Sequence, residues 1–99
     1  MPAYVVAYVG MRDPEPLQRY AAAVTATVER YGGRFLFAGP RFELLDGDWP
    51  GDVIAIIEFP SQADARRWHA SAEYADVLPL RQAAGPTGLV VTQDVGVTA

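Results

Sequence analysis

Two stretches of this sequence, residues 3–10 (AYVVAYVG) and 53–59 (VIAIIEF), are apolar at nearly every position rather than at every second one. An alternating strand has one wet face, whereas strands like these are covered on both, so the sheet they build must be sandwiched. A chain of 99 residues holds enough material for one core and is too short to divide. The expectation is therefore a single domain over residues 1–99. One face of its sheet lies under helices and the other under a second copy of the chain, a homodimer. The hydrophobic content of 51% is high for so small a domain and points the same way.

Between the strands the punctuation is clear. Asp13-Pro14 supplies a helix cap with proline at the first helical position, and Leu17, Tyr20/Ala21, Val24, Val28 and Tyr31 recur at helical spacing until Gly32-Gly33. This predicts a helix over residues 14–31. Residues 34–38 read as a second strand that breaks at Gly39-Pro40 and resumes over 41–45, before a turn-rich segment from Asp46 to Asp52. Pro60 stops the strand at 53–59. Ser61-Gln62-Ala63-Asp64 has capping-box form, and Ser71 repeats the logic ahead of a short helix through Tyr74, Val77 and Leu80. Gly85-Pro86 closes it, and residues 88–94 read as the last strand. The order β-α-β-β-α-β predicts an α+β, ferredoxin-like sandwich with a four-stranded antiparallel sheet and its helices on one face. Two such sheets meeting face to face would close into a dimeric α/β barrel.

Composition excludes several functions. The eight basic residues are all arginine and are scattered, with Arg66-Arg67 the one adjacent pair, and the net charge is −4. A nucleic-acid surface needs a clustered basic face, so no nucleic-acid partner is expected. There is no run of roughly 18 or more apolar residues and no secretory leader pattern, so no membrane association is expected and the cytoplasm is the expected location. Without cysteine or lysine, thiolate nucleophiles, iron–sulfur ligation and side-chain imines are unavailable. One histidine and no cysteine make a zinc site a poor expectation, and Asp46, Asp48 and Asp52 lack calcium-loop spacing. No glycine-rich phosphate loop follows a strand, and the only serines, Ser61 and Ser71, stand at helix caps. Neither a cofactor nor a metal is expected. Acid–base and binding chemistry remain.

Three residues are candidates for catalysis. His69 borders the inward stripe of Ala65, Trp68 and Ala72, and an imidazole titrating near about 6.5 suits proton transfer; the alternative is an ordinary helix histidine. Glu58 shares a strand face with Ile54 and Ile56, where a carboxylate needs a raised pKa or an arginine, either Arg81 or Arg34 across the dimer. Tyr20 sits on the helical stripe, where a buried phenol needs a hydrogen-bond partner or is simply core. For binding the candidates are Trp49 as a lid or an interface plug, Trp68 as an apolar wall, and Arg81 and Asp46 as polar contacts.

Separated blocks of the sequence also resemble a known family. They are the stretch from Tyr20 to Tyr31-Gly32-Gly33-Arg34-Phe35, the loop Leu45-Asp46-Gly47-Asp48-Trp49-Pro50, the strand end Ile57-Glu58-Phe59-Pro60-Ser61, and Ser71-Ala72-Glu73-Tyr74 with Leu80-Arg81. Together they resemble domain-of-unknown-function family 1330, nearly end to end. The resemblance implies a dimeric α/β barrel, in a superfamily that also holds small antibiotic-biosynthesis monooxygenases and muconolactone isomerases, many of which work without metal or organic cofactor. It implies no particular reaction. His69 stands where an aromatic is expected and Asp46 where glutamate is usual, which makes the histidine a possible mark of a specialised member.

The function expected from the residues and the resemblance together is a cofactor-independent enzyme of isomerase, cyclase or monooxygenase type. It would act on a small cyclic or aromatic molecule, with His69 and Glu58 shuttling protons and Tyr20 and Arg81 holding oxygen atoms. The alternative is a non-catalytic small-ligand-binding or structural dimer.

Overall fold

The computed structural model describes residues 2–93. Strand β1 (Ala3–Val9) leads into helix α1 (Pro14–Arg30), then β2 (Arg34–Gly39), β3 (Val53–Phe59), α2 (Gln62–His69), α3 (Ala72–Ala84) and β4 (Thr87–Val91). All pairings are antiparallel and the sheet order is β2-β3-β1-β4. This is the α+β, ferredoxin-like architecture that the element order predicts. No helix of the described residues is long and apolar enough to cross a membrane.

Local chemistry accounts for the boundaries. The Asp13 side chain accepts from the Glu15 amide, Ser61 from Asp64 and Ser71 from Tyr74, so each helix begins where a side-chain oxygen satisfies an otherwise orphaned N–H. Gly32, at φ 83°, turns the chain out of α1 in the left-handed region. Its neighbour Gly33 is needed for a different reason: a Cβ there would fall 2.6 Å from the Phe59 ring and 2.8 Å from Val28. The turn after α1 therefore lies flat on the core.

The sheet has two unlike faces. Ala3, Val5, Ala7 and Val9 of β1, with Ile57 and Phe59 of β3, are buried on the helix side, where Val24 and Val28 of α1, Ala65 and Trp68 of α2, and Tyr74 and Val77 of α3 close over them. Tyr4, Val6 and Tyr8 alternate onto the other face. Register pairs them with Glu58, Ile56 and Ile54, while Phe37 and Val90 extend the row across β2 and β4. That face carries no helix, and Val90 is left 63% exposed.

Two expectations need correction. Residues 41–45 form no strand. Pro40 has no N–H to give the ladder, and a register shift between Phe35 and Phe37 has already bent β2. The segment instead runs as a strap, in which Trp49 packs edge-on against Phe42 and against Tyr8 of the open face, with ring centroids 6.4 and 6.3 Å apart. The backbone amide of Asp52 ties it to Val9 and its carboxylate accepts from the Met11 amide. Second, Ala72 does not continue the stripe of Ala65 and Trp68, because α2 ends at His69 and Ser71 starts a new helix; Ala72 is exposed. The final strand ends at Val91: of the expected extension, Thr92 and Gln93 are not strand, and Asp94 lies outside the described residues.

Candidate functional site

Helix α1 does not close fully against the β2 edge of the sheet. A cavity of about 260 Å³ remains, with Leu17, Tyr20, Ala21 and Val24 of α1 on one side and Phe35, Ala38, Val53 and Ala55 of the sheet on the other, and Met11 and Pro40 at its mouth. Its lining includes the small side chains of Ala21, Ala38 and Ala55, where larger residues would fill more of the space. Nearly every lining side chain is apolar. Tyr20 and Thr25 are the ones that carry a hydroxyl.

Tyr20 is joined to two residues from α3. Its hydroxyl lies 3.1 Å from that of Tyr74, and the Tyr74 oxygen accepts a hydrogen bond of 2.9 Å from Arg81 Nη1. The rings of Tyr20 and Tyr74 meet edge to face, with centroids 6.4 Å apart. Tyr74 and Arg81 are two helical turns apart on α3 and so project from one stripe, which packs on α1. Burial, and next the neighbouring Tyr74, push the Tyr20 phenol far above its ordinary value of 10.0. Tyr20 is consequently a neutral hydrogen-bonding group at physiological pH and is not a base.

Tyr74 is held in place by the aromatic core. It is fully buried, its ring lies 4.2 Å from that of Trp68, and Trp68 in turn stacks on Phe59 at 5.4 Å. The Trp68 indole N–H donates to Thr27 Oγ1 at 3.0 Å, and Thr27 donates on to the Val24 carbonyl. Trp68 thus supports the site from behind and is not part of the cavity wall.

The other sequence candidates lie elsewhere. Glu58 is on the open face, where Arg34 of the same chain donates to it from Nε at 2.9 Å; neither Arg81 nor a second chain is required. Its hydrogen bond with Tyr4, and then burial, raise the Tyr4 phenol above 10.0. His69 ends α2, exposed, with its ring 5.5 Å from that of Tyr74. It borders a separate cleft of about 410 Å³ with Arg66, Trp68 and Leu89. His69 and Glu58 are therefore on opposite sides of the sheet within one chain, since the register puts Glu58 opposite Tyr4 and α2 packs over Ala65 and Trp68. Trp49 belongs to the strap on the open face, and Asp46 is exposed in the same segment. Of the predicted residues, the structure brings Tyr20 and Arg81 together at one place and His69 and Trp68 at another, and leaves Glu58, Trp49 and Asp46 away from both. The residue that joins Tyr20 to Arg81, Tyr74, is the one passed over in the sequence. Its available signal was an arginine on the inward stripe of a helix one turn beyond Val77, a position that demands a polar partner.

An exposed ion pair such as Arg34–Glu58 is worth little by itself. Glu58→Gln is expected to change stability by less than about 1 kcal/mol in urea denaturation, and to leave the cavity untouched.

Several solved structures share this fold. A protein of unknown function from Rhodopseudomonas palustris, RPA0582, is similar at 23% identity and a TM-score of 0.76, covering 97% of this chain and 84% of that one. A protein of unknown function from Jannaschia sp. CCS1, described as dimeric and ferredoxin-like, superposes with a TM-score of 0.75 at 8% identity, over 94% of this chain and 99% of that one. SnoaB of Streptomyces nogalater, a cofactor-independent oxygenase, is similar with a TM-score of 0.64 at 14% identity, over 97% and 94% of the two chains. These likenesses speak to the fold. No curated protein matches the chain. The family model for the domain of unknown function DUF1330 matches residues 2–95, and the chain belongs to that family.

Proposed function

We propose that the chain is a homodimeric, cofactor-independent enzyme that takes a small cyclic or aromatic molecule into the cavity between α1 and the sheet. The observation that carries the reading is Tyr20, a neutral phenol lining a largely apolar cavity and tied to a buried arginine through Tyr74. Apolar walls with a few placed polar groups are what small-molecule pockets present, commonly over ~300–1,000 Å³. At about 260 Å³ the space suits a compact ring compound. An isomerase, cyclase or monooxygenase on such a substrate needs an oxygen polarised while a proton leaves carbon, and a preorganised donor supplies the polarisation. The likeness to SnoaB supports the class by fold analogy.

The homodimer is supported by the bare apolar face of the sheet and by similar proteins described as dimeric. A non-catalytic binding role is the second reading, and one feature favours it: among the described residues the cavity lining includes no carboxylate or imidazole to act as base.

Thermal stabilisation by a panel of phenols and cyclic ketones tests the pocket, with Ala55→Phe as the variant that fills its floor. Wild type is expected to gain several degrees with the best compounds, as binding to the folded state alone requires, and Ala55→Phe to gain none. If no compound stabilises wild type, or the variant responds equally, the cavity is not a ligand site. Compounds that bind are then followed by NMR in D2O for exchange at the acidic carbon. Exchange supports catalysis, and binding without exchange or product supports the non-catalytic reading.

A further inference from the structure

Arg81 is 6% exposed, forms no ion pair among the described residues, and its Nε has no hydrogen-bond partner. A guanidinium cannot shed its proton to ease burial, and a buried cation with only the neutral phenols of Tyr74 and Tyr20 recorded beside it is incompletely compensated. The hydrogen-bond chain that starts from it also has a direction. Arg81 Nη1 can only donate, so the Tyr74 oxygen accepts there. Tyr74 must then place its own proton, and the recorded acceptor is Tyr20, 3.1 Å away. Tyr20 is left accepting from Tyr74 with its O–H still to give, and its side chain is part of the cavity lining. Each donor in such a chain strengthens the next.

We infer that the ligand of this cavity is bound as an oxyanion, a phenolate or enolate whose charged oxygen accepts from the Tyr20 hydroxyl, with Arg81 as its buried counter-charge acting through Tyr74. The inference rests on the cavity being a ligand site, as proposed above. Arg81 and Tyr74 are positioning residues, since neither lines the cavity. The upward displacement of the Tyr20 phenol fits this arrangement, because the tyrosine keeps its proton and the negative charge stays on the ligand. The other charged or titratable groups nearby are differently engaged. The His69 ring packs against the Tyr74 ring, and Glu73 accepts from the Tyr31 hydroxyl beside Arg30. No carboxylate among the described residues is recorded on Tyr20, Tyr74 or Arg81.

4-Nitrophenol is a suitable probe because its phenolate absorbs in the visible and its neutral form does not. Bound to wild type, its apparent pKa is expected to fall by about one unit or more, as an opposite charge and a hydrogen bond to the ionised form demand. The phenolate should therefore bind roughly tenfold or more tightly than the neutral phenol. Arg81→Met and Tyr74→Phe should each abolish most of that shift while the neutral probe still binds at acid pH, and Arg81→Lys should restore part of it. Far-UV circular dichroism verifies that each variant is folded. If neutral 4-nitrophenol binds wild type but its pKa does not fall, or falls equally in Arg81→Met and Tyr74→Phe, the oxyanion inference is overturned and the pocket stands. If the neutral probe fails to stabilise wild type at acid pH, the pocket itself fails for this probe class, and the inference with it.

Discussion

Trp68→Ala is expected to lower the free energy of unfolding by about 3–5 kcal/mol, measured by urea denaturation followed by circular dichroism. The indole is 0% exposed and sits between the rings of Phe59 and Tyr74, at the junction of α2, α3 and the sheet. Its removal takes away the largest fully buried side chain and leaves a cavity that three rigid elements cannot collapse to fill. It also removes the indole donor from Thr27 Oγ1, though Thr27 keeps its bond to the Val24 carbonyl. The effect should reach the site, because the Tyr74 ring loses the surface that orients its hydroxyl toward Tyr20. Trp68→Phe restores part of the packing without the N–H, so it should lose distinctly less. A loss below about 1 kcal/mol for the alanine variant would mean that the ring cluster does not hold the core together, since that is no more than an ordinary point substitution costs.

Ile56→Asp is expected to convert the proposed dimer to a monomer, seen as a roughly twofold fall in mass by sedimentation velocity; self-association through a C2 interface places the same patch on both chains, so each dimer would acquire the change twice. Ile56 is opposite Val6, and Val6 is opposite Val90, so the substitution falls in the middle of the open face. Burying an unpaired carboxylate there costs several kcal/mol for each copy. Arg34–Glu58 and Tyr4 stand nearer the end of the sheet and give the new charge no partner. The helix side is remote from the change, so the monomer should remain folded. Retention of the full mass would mean that the copies meet through another surface, and the open face would then need a different cover.

Both substitutions probe surfaces that the sequence announced. The apolar run at 53–59 and the near-continuous run at 3–10 specified strands apolar on both faces, and register then placed Val6 and Ile56 on the face without helices. The helix starts were equally legible. Asp13, Ser61 and Ser71 act within a few residues of themselves, through one side-chain oxygen and an amide two or three positions on, and such contacts depend on nothing distant. Residues 41–45 of the strap read as strand in the sequence because their composition is strand-like around Phe42 and Leu44. Pairing, however, needs a partner edge and donors, and Pro40 together with the bend in β2 removes the approach.

By itself the sequence determined the element order, the caps, the two-sided sheet and the chemistry that lacks of cysteine and lysine leave out, because each follows from local stereochemistry or from the inventory of groups. Only the tertiary structure decided which polar groups meet. Tyr20, Tyr74 and Arg81 come from two helices separated by two strands and a helix, and they converge because α1 and α3 pack side by side over the same sheet face. Glu58 and His69 are only eleven residues apart in the chain, yet they lie on opposite sides, since a strand reverses its face at every residue and a helix turns its face through each 3.6. Proximity in sequence therefore says little about a shared site, and the packing angle and register of whole elements say nearly everything.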